Sequence, residues 1–476
     1  MCLSFTNCRV NLTVVGGRRL PIIVIPLLLI AELIWGLNST RSTGLLLLGM
    51  SGAAVIFWLS VSRFEVTIAG LMLVMACVDY SLGTGTQTSL HAGLIVLVLL
   101  CTLWIAINAL RHHVVFVRSA LNRPLIGLMA AAGVALLAGE AFRPLELQRP
   151  GNVLSVELGG LGTFWLGPMA LWLFGNTVES VAWLRRVTWL AIALGVLALA
   201  NAYCVPDHYF FNGVSGIFPT WAVAFAFSQA LSNRTLSLPV RAGLLGSVGW
   251  WFHWAMFSGT NYKWVSGWLP PLVAVFAVAF ARSRRLFIAL CLMAFLLFVW
   301  NPTFVLERTI YDPTSAQGNM ARPVLWRAVI EIANRQPLFG VGLADYKYYM
   351  LALNKYLPGD YQVSQAHNSN SHNNYIDIYA QTGLLGLVCF LWFLVAACVV
   401  SWRWVGCYRE GFLGGYTAGL WGGLAGVMAA MMLGDWFLPF VYNIGLNGFR
   451  HALFSWLFLG GLISLGRLAP GRRYGT

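Results

Sequence analysis

The sequence predicts an all-α protein, a polytopic bundle of transmembrane helices, and three observations carry that prediction. Of 476 residues, 59% are hydrophobic and 10% charged, and the mean hydropathy is +0.73. The apolar residues gather into about fourteen runs, each near the ~20 residues that a helix needs to cross a bilayer. Positive charge collects between alternate runs instead of spreading evenly. Length alone would suggest two or three soluble domains, and composition overrules that prior.

The runs lie at 20–37, 44–61, 64–80, 90–110, 124–139, 160–175, 187–204, 216–231, 239–257, 264–281, 285–300, 383–402, 412–434 and 451–466, so a bundle of 12–14 spans is expected. The first run follows Arg18 and Arg19 as a signal peptide would. No small-residue cleavage site is evident and more runs follow, so it reads as a retained first helix. Short loops on one side of these spans carry nineteen arginines; those on the other carry Arg41, Arg143, Arg149, Lys263 and Arg450. This positive-inside asymmetry places both termini in the cytoplasm. It makes the net charge of +14 a topology signal, and no nucleic-acid partner is expected. Nine cysteines show no ligand spacing. Cys77, Cys101, Cys291, Cys389 and Cys398 fall within runs, where a thiol is a small apolar residue.

Residues 1–300 thus carry eleven spans, 301–373 form one long outer loop, and 374–476 carry the last three spans. A loop beyond about 15 residues tends to be functional or disordered. This one predicts helices. "RPVLWRAVIEIANRQP" puts Pro323 near a first helical position and sets Val324, Leu325, Trp326, Val329, Ile330 and Ala333 on an apolar face. "ADYKYYMLALNKYLPG" reads as a second amphipathic helix stopped at Pro358-Gly359. "FGVGLADY" (339–346) reads as a tight turn between the two; it lacks the full GxGxxG and is weak as a phosphate motif. No internal repeat gives support to an inverted-repeat transporter.

The most polar stretch, "AHNSNSHNNYIDIYAQTGLLGL" (366–387), stands against the twelfth run. His367 and His372 are five residues apart, about 140° on a helix, so they share no face. With no Glu or Cys at ligand spacing, no metal site is expected. Ser371, Asn373 and Asn374 are helix-capping types. A histidine in the first turn would meet the positive end of the helix dipole, which favours the neutral imidazole and a general-base role. The plainer alternative is that His372 caps or packs. Arg308, Arg322, Arg327 and Arg335 share the long loop. Arg322, just before the expected helix start, and Arg327, one and a half turns later, could grip a phosphate or pair with Glu307, Asp312, Glu331 or Asp345. Glu32, Glu65 and Asp79 lie within or at the ends of runs, where acids mark transport pathways. "GWWFHW" (249–254) fits interfacial anchoring, with His253 structural.

In this order, "ARPVLWRAVIEIANRQPLFGVGLADY" and "HNNYIDIYAQTGLLGL" resemble the signature region of the O-antigen ligase and O-antigen polymerase superfamily over about seventy residues. The matching elements are Arg322, Trp326, Pro337-Leu338 with Gly340 and Gly342, His372-Asn373 with Tyr375, and Gly383 with Gly386. The resemblance implies a GT-C-like glycosyltransferase of the bacterial inner membrane, acting on the periplasmic face. Its donor would be a glycan on undecaprenyl diphosphate. Its acceptor would be a hydroxyl of a lipid core, a glycan or, in related enzymes, a protein.

Neither metal nor cofactor is implied. By position, His372 would deprotonate the acceptor, Arg322 would bind the leaving diphosphate, and Asn373 and Tyr375 would pin the helix start. Family members often carry a second arginine in a Ser-Gly-Ser-Arg-like stretch. Here "FSGTNYKW" (257–264) has Asn261 at that place, and the nearby Lys263 could supply the charge as a point donor. Ligase, polymerase and protein-glycosylating enzymes share these motifs. The competing class is a polysaccharide transporter or flippase, with the loop as gate; the few paired acids and lysines in the runs argue against it.

Overall fold

Fifteen helices and one short hairpin make up the described part of the computed structural model, which is residues 63–84, 89–110, 116–144, 147, 151, 153–205, 210–211, 213–214, 216–257, 265–309, 316–354, 370–443 and 445–468. In order they are α1 (Phe64–Cys77), β1 (Ser81–Gly83), β2 (Ser89–His91), α2 (Ala92–Leu110), α3 (Asn122–Ala141), α4 (Val153–Thr177), α5 (Val181–Cys204), α6 (Phe218–Ser232) and α7 (Leu238–Phe257). There follow α8 (Val265–Arg282), α9 (Arg284–Trp300), α10 (Pro302–Thr309), α11 (Ala316–Ala333), α12 (Tyr346–Asn354), α13 (Asn374–Cys407), α14 (Gly411–Met431) and α15 (Gly445–Leu468). Two compact units divide the chain, Met1–Thr67 and Ile68–Thr476. In the first, the described residues open α1, where Thr67 Oγ1 donates to Phe64 O at 2.6 Å. The rest of α1 and every later element belong to the second unit.

The expected polytopic all-α architecture is what the chain adopts. Twelve of the fourteen runs fall on α1–α9 and α13–α15, and the runs at 20–37 and 44–61 lie outside the described residues. By length and composition seven described helices, α2–α5, α8, α13 and α15, suffice to cross a membrane. Asp79 lies at the end of its run, just after α1, and pairs with Arg450 at 2.7 Å. Arg450, read as a loop residue, belongs to the second turn of α15. His253 takes a hydrogen-bonded place, its Nδ1 2.8 Å from the Tyr203 hydroxyl.

Helices in lipid gain little from hydrophobic exclusion against each other, so small residues set how closely they approach. α14 shows this along two stripes. Gly415 and Gly419 face α6: a Cβ on them would lie 2.6 Å from the Gln229 side chain and 2.5 Å from the Phe225 ring. Gly422 and Gly426 face α8, with Val278 at 2.5 Å and Pro270 O at 2.6 Å from such a Cβ. α15 packs along α4 in the same manner, where Gly167 admits the Trp456 ring. At the other extreme α9 buries none of its residues.

The long loop departs from expectation at its start. α11 begins at Ala316, so Pro323 lies inside the helix and Arg322 is a helical residue, not one preceding the helix. A proline there removes one backbone hydrogen bond, and the burial that follows it anchors the helix. Leu325, Ala328, Val329, Ile332 and Ala333 form the buried face, joined by Val156 of α4, Ala380 of α13 and Phe440. The spacing i, i+3, i+4, i+7 is that of one helical face, and it leaves Ile330, 38% exposed, off the stripe on which it was expected. α12 ends at Asn354, and the expected stop at Pro358 lies outside the described residues.

Candidate active site

α13 begins where the polar stretch ends. Asn373 is its N-cap, with extended backbone (φ −150, ψ 109), and its Oδ1 accepts from Tyr375 N at 3.0 Å and Ile376 N at 3.4 Å. Two of the N–H groups that a helix start leaves unbonded are thereby satisfied. His372 stands just before the cap, one step outside the first turn where it was expected, with φ 51. That left-handed backbone costs a residue with a Cβ about 1–2 kcal/mol, so neighbouring bonds must fix it.

Those bonds come from four elements. The His372 N–H donates to Asn370 Oδ1. Ser371 Oγ donates to Asp377 Oδ1 at 2.6 Å and accepts from Asn373 N at 3.1 Å. From α11, Trp326 Nε1 donates to Ser371 O at 2.8 Å. From α12, the Tyr346 hydroxyl donates to Asp377 Oδ1 at 2.7 Å, and its ring stacks on Phe440 at 4.3 Å. Burial, and then the adjacent Asp377, push the Tyr346 hydroxyl pKa up, which keeps it a donor. Asn374 clamps the connection between α14 and α15: its Oδ1 accepts from Phe437 N at 2.9 Å and its Nδ2 donates to Leu438 O at 2.7 Å. The Tyr375 hydroxyl donates to Met428 O at 3.2 Å.

That clamped connection carries Asp435. It is buried, and its oxygens accept from Phe440 N at 2.8 Å and Asn443 Nδ2 at 2.7 Å. The His372 pKa is lowered, first by burial; the Asp435 carboxylate opposes that shift and the Arg322 guanidinium adds to it. A neutral ring at neutral pH results, for a reason other than the helix dipole alone. Arg322 and Trp326 are four residues apart in α11, so they share a face. Arg327 is exposed and stands about 140° round the helix from Arg322. The structure therefore brings His372, Arg322, Asn373 and Tyr375 together and leaves Arg327 apart. Asn261, Lys263 and His367 lie outside the described residues.

The glycine-rich turn is joined to the same helix. α13 is interrupted at Gly383 (φ 62, ψ −165), where a Cβ would be 2.5 Å from Gly340 N. Gly340 itself has φ 76, and its Cβ would be 2.5 Å from Gln381 O. Two backbones touch here, and the groups freed by the interruption are re-bonded across the contact. Val341 N donates to Ala380 O at 2.9 Å, and Leu384 N donates to Pro337 O at 2.8 Å.

A separate group of acids was not singled out in the sequence. Carboxylate oxygens of Glu140, Glu157 and Asp345 lie within 4.8 Å of one another, a spacing that a cation could bridge. Glu140 also meets Arg143 at 3.5 Å.

Asp377, Tyr346 and Asp435 were missed as well. For Asp435 a signal existed, since it is the only acid between Glu410 and the last residue. No curated protein matches the chain. Residues 242–391 match the O-antigen ligase family, a stretch that holds Arg322, Trp326, both glycine motifs and His372 and stops short of Asp435. That match supports the O-antigen ligase superfamily for this part of the chain.

Proposed function

We propose that this chain is a membrane glycosyltransferase of the O-antigen ligase or polysaccharide polymerase type, moving a glycan from undecaprenyl diphosphate to an acceptor hydroxyl. The acceptor oxygen bonds to the anomeric carbon while the bond from that carbon to the diphosphate oxygen breaks. The bonding pair leaves with the lipid diphosphate, and the acceptor proton passes to His372. Arg322 holds the departing diphosphate through its planar fork. Asp435 stabilises the imidazolium that forms, and Asn373 and Tyr375 act by fixing the helix start. Lys263 is the candidate for a second cation on the donor, which a rise in donor KM in Lys263→Ala would reveal. The site faces the periplasm with both termini in the cytoplasm. Cysteine labelling that put positions 118 and 316 on one side would overturn that orientation.

One observation supports this reading above the others: a histidine whose ring is held neutral shares its surroundings with an arginine whose charge it feels. A neutral imidazole can take a proton, and a fixed cation beside it can take a leaving anion. The test uses purified protein in detergent with lipid-linked glycan and acceptor, and no gradient. Transfer by the native protein is expected, and consumption of donor without a gradient separates a transferase from a transporter. General-base contributions are typically ~10²–10⁴-fold, so His372→Ala should lower transfer at least about 100-fold. Native-like transfer by His372→Ala would remove the base from the scheme.

A further inference from the structure

A second site lies at the other end of α13 from His372. The last turns of α6, α8 and α13, the residues just after α13 and the first residue of α9 border an open cavity of about 640 Å³. That volume is within the ~300–1,000 Å³ usual for small-molecule sites. Its charge is one-sided. Arg234, Arg282, Arg284 and Arg409 line it, against Glu410 alone. Glu410 reaches Arg234 at 3.6 Å with both side chains well exposed, a pairing that neutralises little.

Arg282 is a fixed cation: its guanidinium donates to Tyr408 O at 2.8 Å, Val405 O at 3.3 Å, Thr417 Oγ1 at 3.0 Å and the Gly414 carbonyl. None of these partners is a carboxylate. A further observation points to a ligand. Ser232, 6% exposed, lines the same cavity, and its buried hydroxyl has no hydrogen-bond partner. A buried hydroxyl left unbonded beside unneutralised arginines is a donor waiting for an acceptor oxygen.

The walls give the rest of the ligand's chemistry. Phe280 and Trp402 line the cavity, are 49% and 44% exposed, and stack at 5.9 Å. Beyond Arg284, α9 offers apolar side chains and buries none of them. A molecule with a phosphate at one end and hydrocarbon at the other meets both features at once. Basic pockets between the ends of membrane helices take acidic headgroups in this manner. We propose that the cavity binds the phosphate headgroup of an anionic phospholipid, with its acyl chains along Phe280, Trp402 and α9.

Native mass spectrometry of the full-length protein, delipidated in detergent and then offered cardiolipin, phosphatidylglycerol or phosphatidylethanolamine, tests this. Retention of the two anionic lipids over phosphatidylethanolamine is expected. An Arg284→Gln/Arg409→Gln double variant should lose that retention by on the order of 30-fold, about fivefold per arginine near a headgroup. Arg403→Gln, an exposed arginine of α13 that does not line the cavity, should behave as the native protein does. Ser232→Ala, which removes the hydroxyl and no charge, gives a second reading and should weaken retention with folding intact. Equal retention of phosphatidylethanolamine, or full retention by the double variant, overturns the proposal. Displacement of bound lipid by equimolar inorganic pyrophosphate would also overturn it, because the ligand would then be a soluble phosphate.

Discussion

Replacing Gly383 with alanine strikes the joint between the glycine-rich turn and α13. Its backbone, φ 62 and ψ −165, lies in a region open essentially to glycine, and holding another residue there costs about 1–3 kcal/mol. The added Cβ would be 2.5 Å from Gly340 N, and the obstacle is backbone that cannot rotate away as a side chain could. Overpacking of that kind costs roughly another 1–3 kcal/mol. Together the two effects predict a loss of about 2–6 kcal/mol. The turn must then shift, and the bonds from Val341 N and Leu384 N that re-bond the interruption shift with it. Unfolding in mixed detergent–SDS micelles, followed by tryptophan fluorescence, measures the loss. Gly246→Ala in α7 is the control, since a Cβ there meets nothing within 4 Å. It should be neutral or stabilising by up to ~1 kcal/mol. If Gly383→Ala unfolds with the native protein, or Gly246→Ala is equally harmed, the close approach of the two backbones is not what fixes this joint.

Two further outcomes concern the chemistry. Arg322→Lys should lower transfer nearly as far as Arg322→Ala, because a lysine keeps the charge and loses the two-pronged fit to phosphate oxygens; near-native turnover by Arg322→Lys would shift attention to Lys263 or Arg327. The acid limb of the pH–rate profile should lie below the ordinary histidine value of 6.5, because the His372 pKa is lowered and the ring must be neutral to accept a proton. Activity is then full above that pKa and falls as the pH drops through it. Asp435→Asn removes the carboxylate that raises this pKa, so the limb should move to still lower pH, and a limb that stays in place would disconnect Asp435 from His372.

The spans were legible because apolar runs near 20 residues leave a bilayer protein few alternatives. The capping types around the start of α13 were legible because capping is local chemistry, although the expected start put His372 inside the first turn and the cap is Asn373. What escaped was set by contacts distant in sequence. Tyr346 and Asp377 are 31 residues apart, and neither has a local feature that announces the bond. Asp435 acts on His372 only because Asn374 clamps the connection carrying it, a contact across 63 residues. The start of α11 was misread for a local reason: Pro323 has the form of a first-turn proline, and only the packed face after it shows the helix already running. Arg234, Arg282, Arg284 and Arg409 were legible as a count but not as a cavity. The positive-inside rule explains why arginines are on one side, and only tertiary packing gathers four of them around one space.

The motif contains more residues than the chemistry requires, and the geometry gives a reason. A base in a left-handed backbone ahead of a helix holds its direction only if that backbone is fastened, and a misplacement near 1 Å can cost about 10²-fold in rate. Trp326 is one fastening, through its bond to the Ser371 carbonyl, and it is a positioning residue that need not touch substrate. Trp326→Phe keeps an aromatic ring but loses the pyrrole part of the indole with its N–H, taking the donor from a buried carbonyl, so stability should fall by about 1–3 kcal/mol. The kcat should fall by about tenfold or more as the His372 backbone loosens. Donor KM should stay near native, because Arg322 is untouched. The acid limb should also stay in place, since neither Asp435 nor Arg322 has been changed. This pattern differs from that of Asp435→Asn, which moves the limb, and from that of Arg322→Lys, which weakens the grip on the diphosphate. A Trp326→Phe variant with native kcat would mean that the Ser371 carbonyl needs no tether, and that His372 is positioned by α13 and the Asn374 clamp alone.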